Sequence, residues 1–364
     1  MANPTESNIG PRIIELNARD ILGALGSEGY FITDAEGAEV TTQLTYDSLI
    51  LFRADVAPGT EATFTIHPAD SITSYPATVW GQAYPKRRDD ISYENELIGV
   101  RIYGPGTRQA GEKAFGYDIF FKHPTEELIV PQLYAPETDD AVWAKVDSLR
   151  AINPALADDF ISSFSYHIDH GLGMDCYAVG ATLGAGVAAL AEGDTIFYPW
   201  TYERAEILDN GPLRFTLRLD FAPREAGAAG TVAEHRLISL DSQAHLNKTK
   251  VWFDGQAAPM EIVAGFPLRD ETPPVTDPGR RFIAYSDPTQ GPDNGRALLG
   301  ITFPSPAEKN LSRDGHILMS RTLNPSDTLL YSWGFAWDRA DIPSLDEWQA
   351  VLNNSSLNYN VTIK

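Results

Sequence analysis

The alternation of side chains from Leu213 to Phe221 restricts the fold of this chain more than any other feature. Apolar residues occupy every second position of this segment, and the positions between them are polar or charged. Because successive side chains of a β-strand point to opposite faces of a sheet, the segment predicts a strand with one buried face and one polar face.

Similar short segments recur along the chain between Gly, Pro, Asn and Asp residues. They are rich in β-branched and aromatic side chains, which are typical of strands, and there are too many of them for one small sheet. The chain is therefore expected to be an all-β protein, a β-sandwich or barrel. The other strand segments begin at Leu49, Ala62, Tyr75, Leu97, Gly116, Ala233, Lys250, Arg280 and Ala297.

Two peripheral helices are predicted. One lies near Asp139 to Ile152, and the other begins at Ser344, where Glu347 three residues later completes a capping-box pattern. A weak domain boundary is predicted near Tyr84 to Asp90, because most of the His and Trp residues follow it. This boundary divides the chain into an N-terminal β layer over residues 1–85 and a main β body over residues 86–364, joined as one continuous unit.

Charge excludes several classes of partner. The chain has 28 Lys and Arg against 50 Asp and Glu, a formal charge of −22, so no broad basic face exists and nucleic acid is not expected as a partner. The same charge opposes adsorption to anionic lipid. No apolar run approaches the roughly 20 residues that a spanning helix needs, so no membrane insertion is expected.

Cys176 is the only cysteine, which excludes an internal disulfide and any multi-cysteine metal site. A lone cysteine is usually a small buried hydrophobic residue, so a thiol nucleophile is the less favoured interpretation. The first residues lack the regions of a secretion signal. The protein is expected in the periplasm if a signal peptide has been removed from this sequence, and otherwise in the cytoplasm.

Most of the candidate chemistry lies in the segment from Tyr166 to Gly180. Its glycines fit a tightly folded loop, but only a turn near residue 170 would bring its two imidazoles together, because they would lie on opposite faces of a strand. Two interpretations stay open for the single residues, hydrogen bonding within a buried loop and catalysis, and for the cluster we favour catalysis. Within twelve residues the segment contains Tyr166, His167, Asp169, His170, Asp175, Cys176 and Tyr177.

A metal site competes with acid–base chemistry here. His167, Asp169 and His170 are a legitimate ligand set for a divalent ion, although their spacing is not that of a helical HExxH motif. No other cofactor is expected. Outside the loop, four tryptophans are candidates for stacking on a sugar, although a tryptophan in a β-sandwich more often lies in the core. These are Trp80, Trp200, Trp333 and Trp337.

Several segments, taken in order, resemble the bacterial DUF4861 family. The resemblance covers nearly the whole chain, is most specific between Tyr166 and Gly180, and is looser before Asp89 and after Gly265. The segment from Asp209 to Phe221 also resembles the β-supersandwich of galactose mutarotase-like proteins, which several polysaccharide lyases share. The segments are DDISYENELIGVRIYGPG, GYDIFFKH, YHIDHGLGMDCYAVG, YERAEILDNGPLRFTLRLDFAP and EHRLISLDSQAHLNK.

The family resembles the oligosaccharide dehydratases of ulvan degradation. The resemblance implies a carbon–oxygen lyase that removes water from a saturated uronic acid at the non-reducing end of an anionic oligosaccharide. The 4,5-unsaturated product would pass to an unsaturated glucuronyl hydrolase. A polysaccharide lyase, a glycoside hydrolase acting on uronate glycans, and a non-catalytic carbohydrate-binding protein are the alternatives.

Such an elimination needs a cation at the uronate carboxylate, a base at C5 and an acid at the 4-hydroxyl. His167 and His170 are expected to transfer protons with Tyr177 as the partner acid or base, and Asp169 to orient an imidazole, a role that Asp175 shares as an alternative. Cationic contacts to the carboxylate are expected from Lys122, Arg101 and Arg204. Further substrate contacts are expected from Asp175, Asn95 and Trp80. For the cations, an ordinary solvated charge is the alternative.

Overall fold

The structure is a computed structural model that describes residues 1–6 and 8–364. Strands make up 40% of it and helices 16%, which confirms the prediction of an all-β protein with few helices. In order, the strands are β1 (Arg12–Asn17), β2 (Gly29–Thr33), β3 (Glu39–Val40), β4 (Thr42–Leu44), β5 (Leu49–Ala54), β6 (Thr65–Ala69), β7 (Trp80–Tyr84), β8 (Asp90–Glu94), β9 (Ile98–Ile102), β10 (Asp118–Lys122), β11 (Gly173–Met174), β12 (Ala188–Glu192), β13 (Thr195–Phe197), β14 (Arg204–Asn210), β15 (Arg214–Asp220), β16 (Arg224–Glu225), β17 (Thr231–Asp241), β18 (Leu246–Asp254), β19 (Met260–Pro267), β20 (Val275–Thr276), β21 (Phe282–Pro288), β22 (Arg296–Thr302), β23 (Lys309–Arg313), β24 (His316–Leu323) and β25 (Leu329–Trp337). The helices are α1 (Ala18–Leu25), α2 (Pro105–Gln109), α3 (Val130–Tyr134), α4 (Asp140–Ile152), α5 (Pro154–Ser162) and α6 (Leu345–Asn354).

In residues 1–6 and 8–364 the strands form five antiparallel sheets. A nine-stranded sheet has the order β14-β15-β17-β18-β25-β22-β21-β20, with β16 beside β17. Two five-stranded sheets have the orders β13-β12-β19-β24-β23 and β11-β10-β9-β8-β7. Two three-stranded sheets, β1-β5-β4 and β3-β2-β6, belong to the N-terminal part of the chain.

One large apolar cluster contains side chains of the nine-stranded sheet and of both five-stranded sheets, so the body is a β-sandwich. Two aromatic stacks join the layers: the rings of Tyr93 and Phe215 have centroids 4.6 Å apart, and those of Tyr117 and Trp333 are 4.2 Å apart. The predicted strand from Leu213 to Phe221 is present as β15, and its alternate side chains are buried in this cluster.

The polar face of β15 is also partly covered. The guanidinium of Arg214 donates to Asp241 at 2.5 Å and to Glu15 of β1 at 2.6 Å, so the N-terminal part packs against this face through ion pairs. The N-terminal part has an apolar core of its own, which Tyr359 joins. Strand β7 pairs with β8, so one sheet crosses the predicted boundary after residue 85.

Both predicted helices are present. Asp139 precedes α4 and its side chain accepts from the backbone of Ala141, and Ser344 precedes α6 and accepts from the backbone of Glu347. Helix α6 packs Trp348 and Leu352 on the nine-stranded sheet. The other four α-helices in the described part of the chain were not predicted individually. Among the residues that the structure describes, none of the helices combines the length and the apolar character that crossing a membrane requires.

Candidate active site

A cleft of about 600 Å³ lies where the segment from Tyr166 to Gly180 meets β9, β10 and the turn before β8. It brings together imidazole, phenol, carboxyl and guanidinium groups. A cleft of similar size, about 580 Å³, lies beside the N-terminal part, but it has no histidine or cysteine in its lining. The titratable residues that line the first cleft are Lys86, Arg87, Arg88, Arg101, Tyr103, Glu112, Asp118, Glu137, Tyr166, His167, Asp175 and Tyr177.

The loop from Tyr166 to Gly180 is anchored at several points. Its short strand β11 pairs with the end of β10, and the backbone N–H of Asp175 donates to the carbonyl of Tyr166 at 2.8 Å. Gly173 has a φ of 127°, and a Cβ there would lie 2.0 Å from the carbonyl oxygen of Phe121, so only glycine fits against β10. These anchors hold the loop's side chains at the cleft.

His167 is held in one tautomer. Its Nδ1 lies 2.8 Å from the backbone carbonyl oxygen of Asp175. A carbonyl oxygen only accepts, so Nδ1 carries a proton, and in the neutral ring Nε2 carries the lone pair. The ring rests against Tyr166 with centroids 4.2 Å apart, and Nε2 has no hydrogen-bond partner in residues 1–6 and 8–364. This imidazole is therefore able to accept a proton from a molecule in the cleft.

Tyr177 is buried, and its hydroxyl makes no hydrogen bond within the part of the chain that the structure describes. Burial, followed by the charge of Asp287, raises the pKa of this phenol well above its usual value, so the group is a neutral donor. The guanidinium carbon of Arg269 lies 5.1 Å from the ring centroid, and Arg269 pairs with Asp287 at 3.2 Å.

Three arginines line the cleft, Arg87, Arg88 and Arg101. Arg101 donates from Nε to Asp90 at 2.8 Å, and its Nη1 lies 3.5 Å from Asp118. Arg87 donates to the hydroxyl of Tyr166 at 3.0 Å and stacks on Tyr134 with its guanidinium carbon 3.8 Å from the ring centroid. The Nε of Arg87 is buried and has no partner among the described residues, so it has an unused donor.

The turn that carries Arg87 has a strained backbone that neighbouring residues hold in place. Arg88 and Asp89 both have left-handed backbone, with φ of 60° and 61°. The hydroxyl of Tyr202 donates to the carbonyl of Asp89, and a Cβ on Gly104 would lie 2.0 Å from that oxygen. Surrounding contacts therefore fix a conformation that a free turn would avoid.

Two buried carboxyl groups in the cleft, those of Asp118 and Asp175, have raised pKa values. Burial raises the pKa of Asp118, and burial together with the nearby Asp118 raises the pKa of Asp175 well above its usual value. The hydroxyl of Tyr103 also donates to Asp118 at 2.7 Å. Four basic and four acidic residues line the cleft. The raised pKa values make these two carboxyls easier to protonate than exposed ones, which lowers the negative charge that the cleft would otherwise have in a chain of charge −22.

Two predicted substrate contacts lie away from the cleft and have structural roles. Lys122 is fully buried, and its ammonium group donates to Glu94 at 2.6 Å and to the carbonyls of Asn95 and Glu127 at 2.7 and 3.2 Å. Its three hydrogens are thus used within the protein, and none is left for a uronate. Asn95 is buried too, and its amide donates to two backbone carbonyls.

Three other predicted residues also lie outside the cleft lining. His170 is exposed, Arg204 is exposed on β14 and pairs with Glu206 at 3.1 Å, and Trp80 is half-buried on β7. The cleft does contain four of the predicted residues, and their roles stay predictions. They are His167, Tyr177, Arg101 and Asp175.

Asp169 contacts a different imidazole from the one expected. Its carboxylate lies 2.9 Å from Nε2 of His123 and accepts from the backbone N–H groups of Gly171 and Gly173. Within residues 1–6 and 8–364 no group of three or more His, Cys, Asp or Glu side chains is arranged to hold a metal ion. Burial raises the pKa of the Cys176 thiol to about 12, which leaves it protonated and a poor nucleophile.

Sequence reasoning did not select Arg87, Arg88, Tyr103 or Asp118. A signal for the arginines was available, because Lys86 to Arg88 is the only run of three consecutive cations in this acidic chain. No comparable signal marks the other two, since an alternating strand contains Asp and Tyr for many reasons.

Comparisons with known proteins give one family and one fold. The family model described as "Domain of unknown function (DUF4861)" matches residues 2–364. The uncharacterized protein P7 of Formosa agariphila is 23% identical over 375 residues, which cover 96% of this chain and 88% of that protein. Two solved Enterococcus faecalis structures, an alpha-mannosidase and a protein in glycosyl hydrolase family 38, each have a TM-score of 0.51 at 10% identity. They match 99% of this chain, which spans only 45% and 46% of theirs, and such a likeness shows the fold alone.

Proposed function

The chain belongs to the DUF4861 family, and from this premise we propose that it is an oligosaccharide dehydratase. It would remove water from a saturated uronic acid at the non-reducing end of an anionic oligosaccharide such as ulvan. The observation that carries the proposal is one cleft that holds an imidazole with a free Nε2, an unpartnered neutral phenol and a guanidinium with an unused donor.

The guanidinium groups of Arg87 and Arg101 are suited to the uronate carboxylate. The C5 hydrogen is weakly acidic until this carboxylate is neutralised, because negative charge flows onto it when the proton leaves. Arg87 has the buried unpartnered Nε, and Arg101 keeps only 15% of its side chain exposed between Asp90 and Asp118. Arginine binds carboxylates through paired donors, which fits this role better than a lysine.

The proton transfers follow from the protonation states. His167 Nε2 takes the C5 proton, and the electron pair of that C–H bond forms the C4=C5 double bond. The C4–O bond breaks, and the departing hydroxyl takes the phenol proton of Tyr177 and leaves as water. The imidazolium then loses its proton to solvent and the phenolate regains one, so the enzyme is restored and the net change is the loss of one water.

The product has a 4,5-unsaturated uronyl end, which is the chemistry that an unsaturated glucuronyl hydrolase accepts. We propose such a hydrolase as the consumer of the product. A periplasmic location, with a signal peptide removed, would bring the enzyme to oligosaccharides released outside the cell. A cytoplasmic location remains the alternative proposal.

Glycoside hydrolysis is the second candidate function. The observation that favours it is the pair of buried carboxyls with raised pKa values, Asp118 and Asp175, since hydrolases use one protonated and one ionised carboxyl. A polysaccharide lyase would use the same residues as the dehydratase but would break the glycosidic bond at C4 instead of releasing water.

The test is to incubate the purified protein with oligosaccharides that end in a saturated uronate and to follow absorbance and mass together. A dehydratase gives the absorbance of a conjugated uronate and a product lighter by one water at unchanged chain length. Shorter chains with that absorbance would indicate a lyase. Shorter chains without that absorbance, whose combined mass exceeds the mass of the substrate by one water, would indicate a hydrolase. No change with any uronate oligosaccharide would contradict all three.

A further inference from the structure

An exposed aromatic cluster lies beside the cleft. Trp200 keeps 37% of its surface exposed, which is unusual for a side chain of this size. The ring of Phe115 meets it edge to face with centroids 5.1 Å apart, and Phe115 in turn stacks on Tyr198 at 5.5 Å. The indole is therefore held by its neighbours while part of it stays open to solvent.

This cluster is continuous with the cleft. The backbone N–H of Phe115 donates to the carbonyl of Gly180 at 3.3 Å, and Gly180 lines the cleft. Tyr103 lines the cleft on one side and, on the other, a small cavity that Phe115 and Trp200 also line. A sugar chain that leaves the cleft on this side meets the indole next.

A cation stands at the same place. The guanidinium carbon of Arg108 lies 5.4 Å from the ring centroid of Trp200. Arg108 has no carboxylate partner among the residues that the structure describes. It lies on α2, whose Gly106 donates to the carbonyl of Arg88 at 3.1 Å, so the helix is fixed to the rim of the cleft. A guanidinium that lies over an aromatic ring without a carboxylate partner suits an anionic substituent on a sugar that contacts the exposed part of the indole.

We propose that Trp200 and Arg108 form a subsite for the sugar that follows the terminal uronate. The indole stacks on the pyranose ring, and Arg108 binds a sulfate or carboxylate on it. The inference rests on the proposed function in that the cleft holds the terminal uronate. It makes the enzyme selective for oligosaccharides over single uronates, and for an acidic second sugar over a neutral one.

The experiment compares Trp200→Ala, Trp200→Phe and Arg108→Gln with the parent protein. The substrates are a uronate methyl glycoside and three disaccharides with a neutral, a sulfated or a carboxylated second sugar. Phe197→Ala is the matched control, because Phe197 is a nearby exposed aromatic outside the cluster. Thermal melts establish that each variant is folded, and Trp200→Phe, which keeps a ring, is expected to be intermediate in KM.

For disaccharides, Trp200→Ala is expected to raise KM about tenfold with kcat unchanged, a change that corresponds to about 1.4 kcal/mol. Arg108→Gln should raise KM only for the acidic second sugars, and comparison of the sulfate with the carboxylate shows which anion it selects. The methyl glycoside should react equally with all variants. A Trp200→Ala variant with parental KM for every disaccharide would overturn the subsite.

Binding separates this inference from the proposed reaction. The same disaccharides are titrated calorimetrically into the parent protein and the three variants. Weaker binding by Trp200→Ala, with no loss of water from any substrate, would support the subsite and contradict the dehydratase. Water loss with equal binding by parent and variants would support the dehydratase and contradict the subsite. No binding of any disaccharide to the parent protein would contradict both.

Discussion

Nδ1 of His167 donates to the backbone carbonyl of Asp175, eight residues further along the chain, over 2.8 Å. Together with the bond from the Asp175 N–H to the Tyr166 carbonyl it closes the loop on itself, and it fixes the ring nitrogen that stays available as a base. It also ties the orientation of the base to a residue whose own side chain faces the same cleft.

His167→Ala is expected to lower kcat by about 10²-fold to 10⁴-fold, the usual contribution of a positioned general base. His170→Ala is the matched control, because His170 is exposed and outside the cleft lining, and it should keep parental activity. Initial rates on a uronate-terminated oligosaccharide measure both. Equal activity in the two variants would remove His167 from the mechanism.

Tyr177→Phe is expected to lose about 10²-fold in kcat while the protein becomes no less stable. The buried hydroxyl has no hydrogen-bond partner in the described part of the chain, so its removal relieves a desolvation cost of about 1 kcal/mol or more. Tyr359→Phe is the opposite case: its hydroxyl donates to Gly10 at 2.7 Å and accepts from Val56 at 3.0 Å.

Tyr359→Phe should therefore lose about 1 kcal/mol of unfolding free energy and keep its activity. Urea titrations and rate measurements on both variants test the pair. If Tyr177→Phe were fully active, another group would have to supply the proton to the leaving hydroxyl.

Arg87→Lys is expected to lose activity, whereas Lys122→Met is expected to lose stability. Arg87→Lys removes the planar guanidinium that has the unused Nε, so kcat should fall by about 10²-fold in a folded protein. Lys122→Met leaves the carboxylate of Glu94 buried without its ammonium partner, which costs about 3 to 5 kcal/mol of stability. Denaturant unfolding and kcat together distinguish the two. A stable but inactive Lys122→Met would return Lys122 to the role expected from sequence.

KM should rise with pH because of Asp118 and Asp175, whose pKa values are both raised. They are neutral below their folded pKa and negative above it, while the uronate and the facing Arg87 and Arg101 keep their charges. Ionisation therefore adds repulsion, and affinity falls as pH rises. Asp175→Asn should flatten the profile of KM against pH. A profile with the same slope in the variant would assign the dependence to other groups.

The same two carboxyls make stability fall as pH rises. In the interval between the unfolded pKa and the raised folded pKa, the native state holds protons that the unfolded state has lost, so raising the pH favours unfolding. Asp175→Asn should gain stability relative to the parent at neutral pH and lose that gain in acid, below the unfolded pKa. Urea midpoints at the two pH values provide the measurement.

Chelation is expected to leave the rate unchanged. Asp169, the central member of the proposed metal ligands, is engaged by His123 and by two backbone N–H groups instead. Treatment with a chelator followed by assay in metal-free buffer tests this. Activity that is lost and then restored by one divalent ion would assign His167 to ligation.

Periodic patterns predicted the fold well because they report local geometry. The alternation around Leu217 marks a strand whatever its neighbours are, and Ser344 with Glu347 marks a helix start from within one turn. The cover over Arg214 could not be predicted, because its partner Glu15 is 199 residues away in sequence.

The candidate site was predictable only where it is local. The loop residues His167, Asp175 and Tyr177 could be found together because one short segment carries them. Lys122 was expected to contact the substrate, but its ammonium group is buried and donates to Glu94, two strands away in the same sheet. Partners that meet only after the sheets form leave no pattern along the chain.

The position of Cys176 allows local opening of the loop to be measured in the unmodified protein by thiol labelling. The only thiol of the chain is buried between two residues that face the cleft, and its carbonyl accepts from Gln290 of the hairpin loop between β21 and β22. A thiol reagent can reach it only when this segment detaches locally, so the labelling rate under native conditions measures the free energy of that opening. Because the same segment carries the base and the phenol, ligands that occupy the cleft should slow labelling in proportion to how firmly they hold the segment closed.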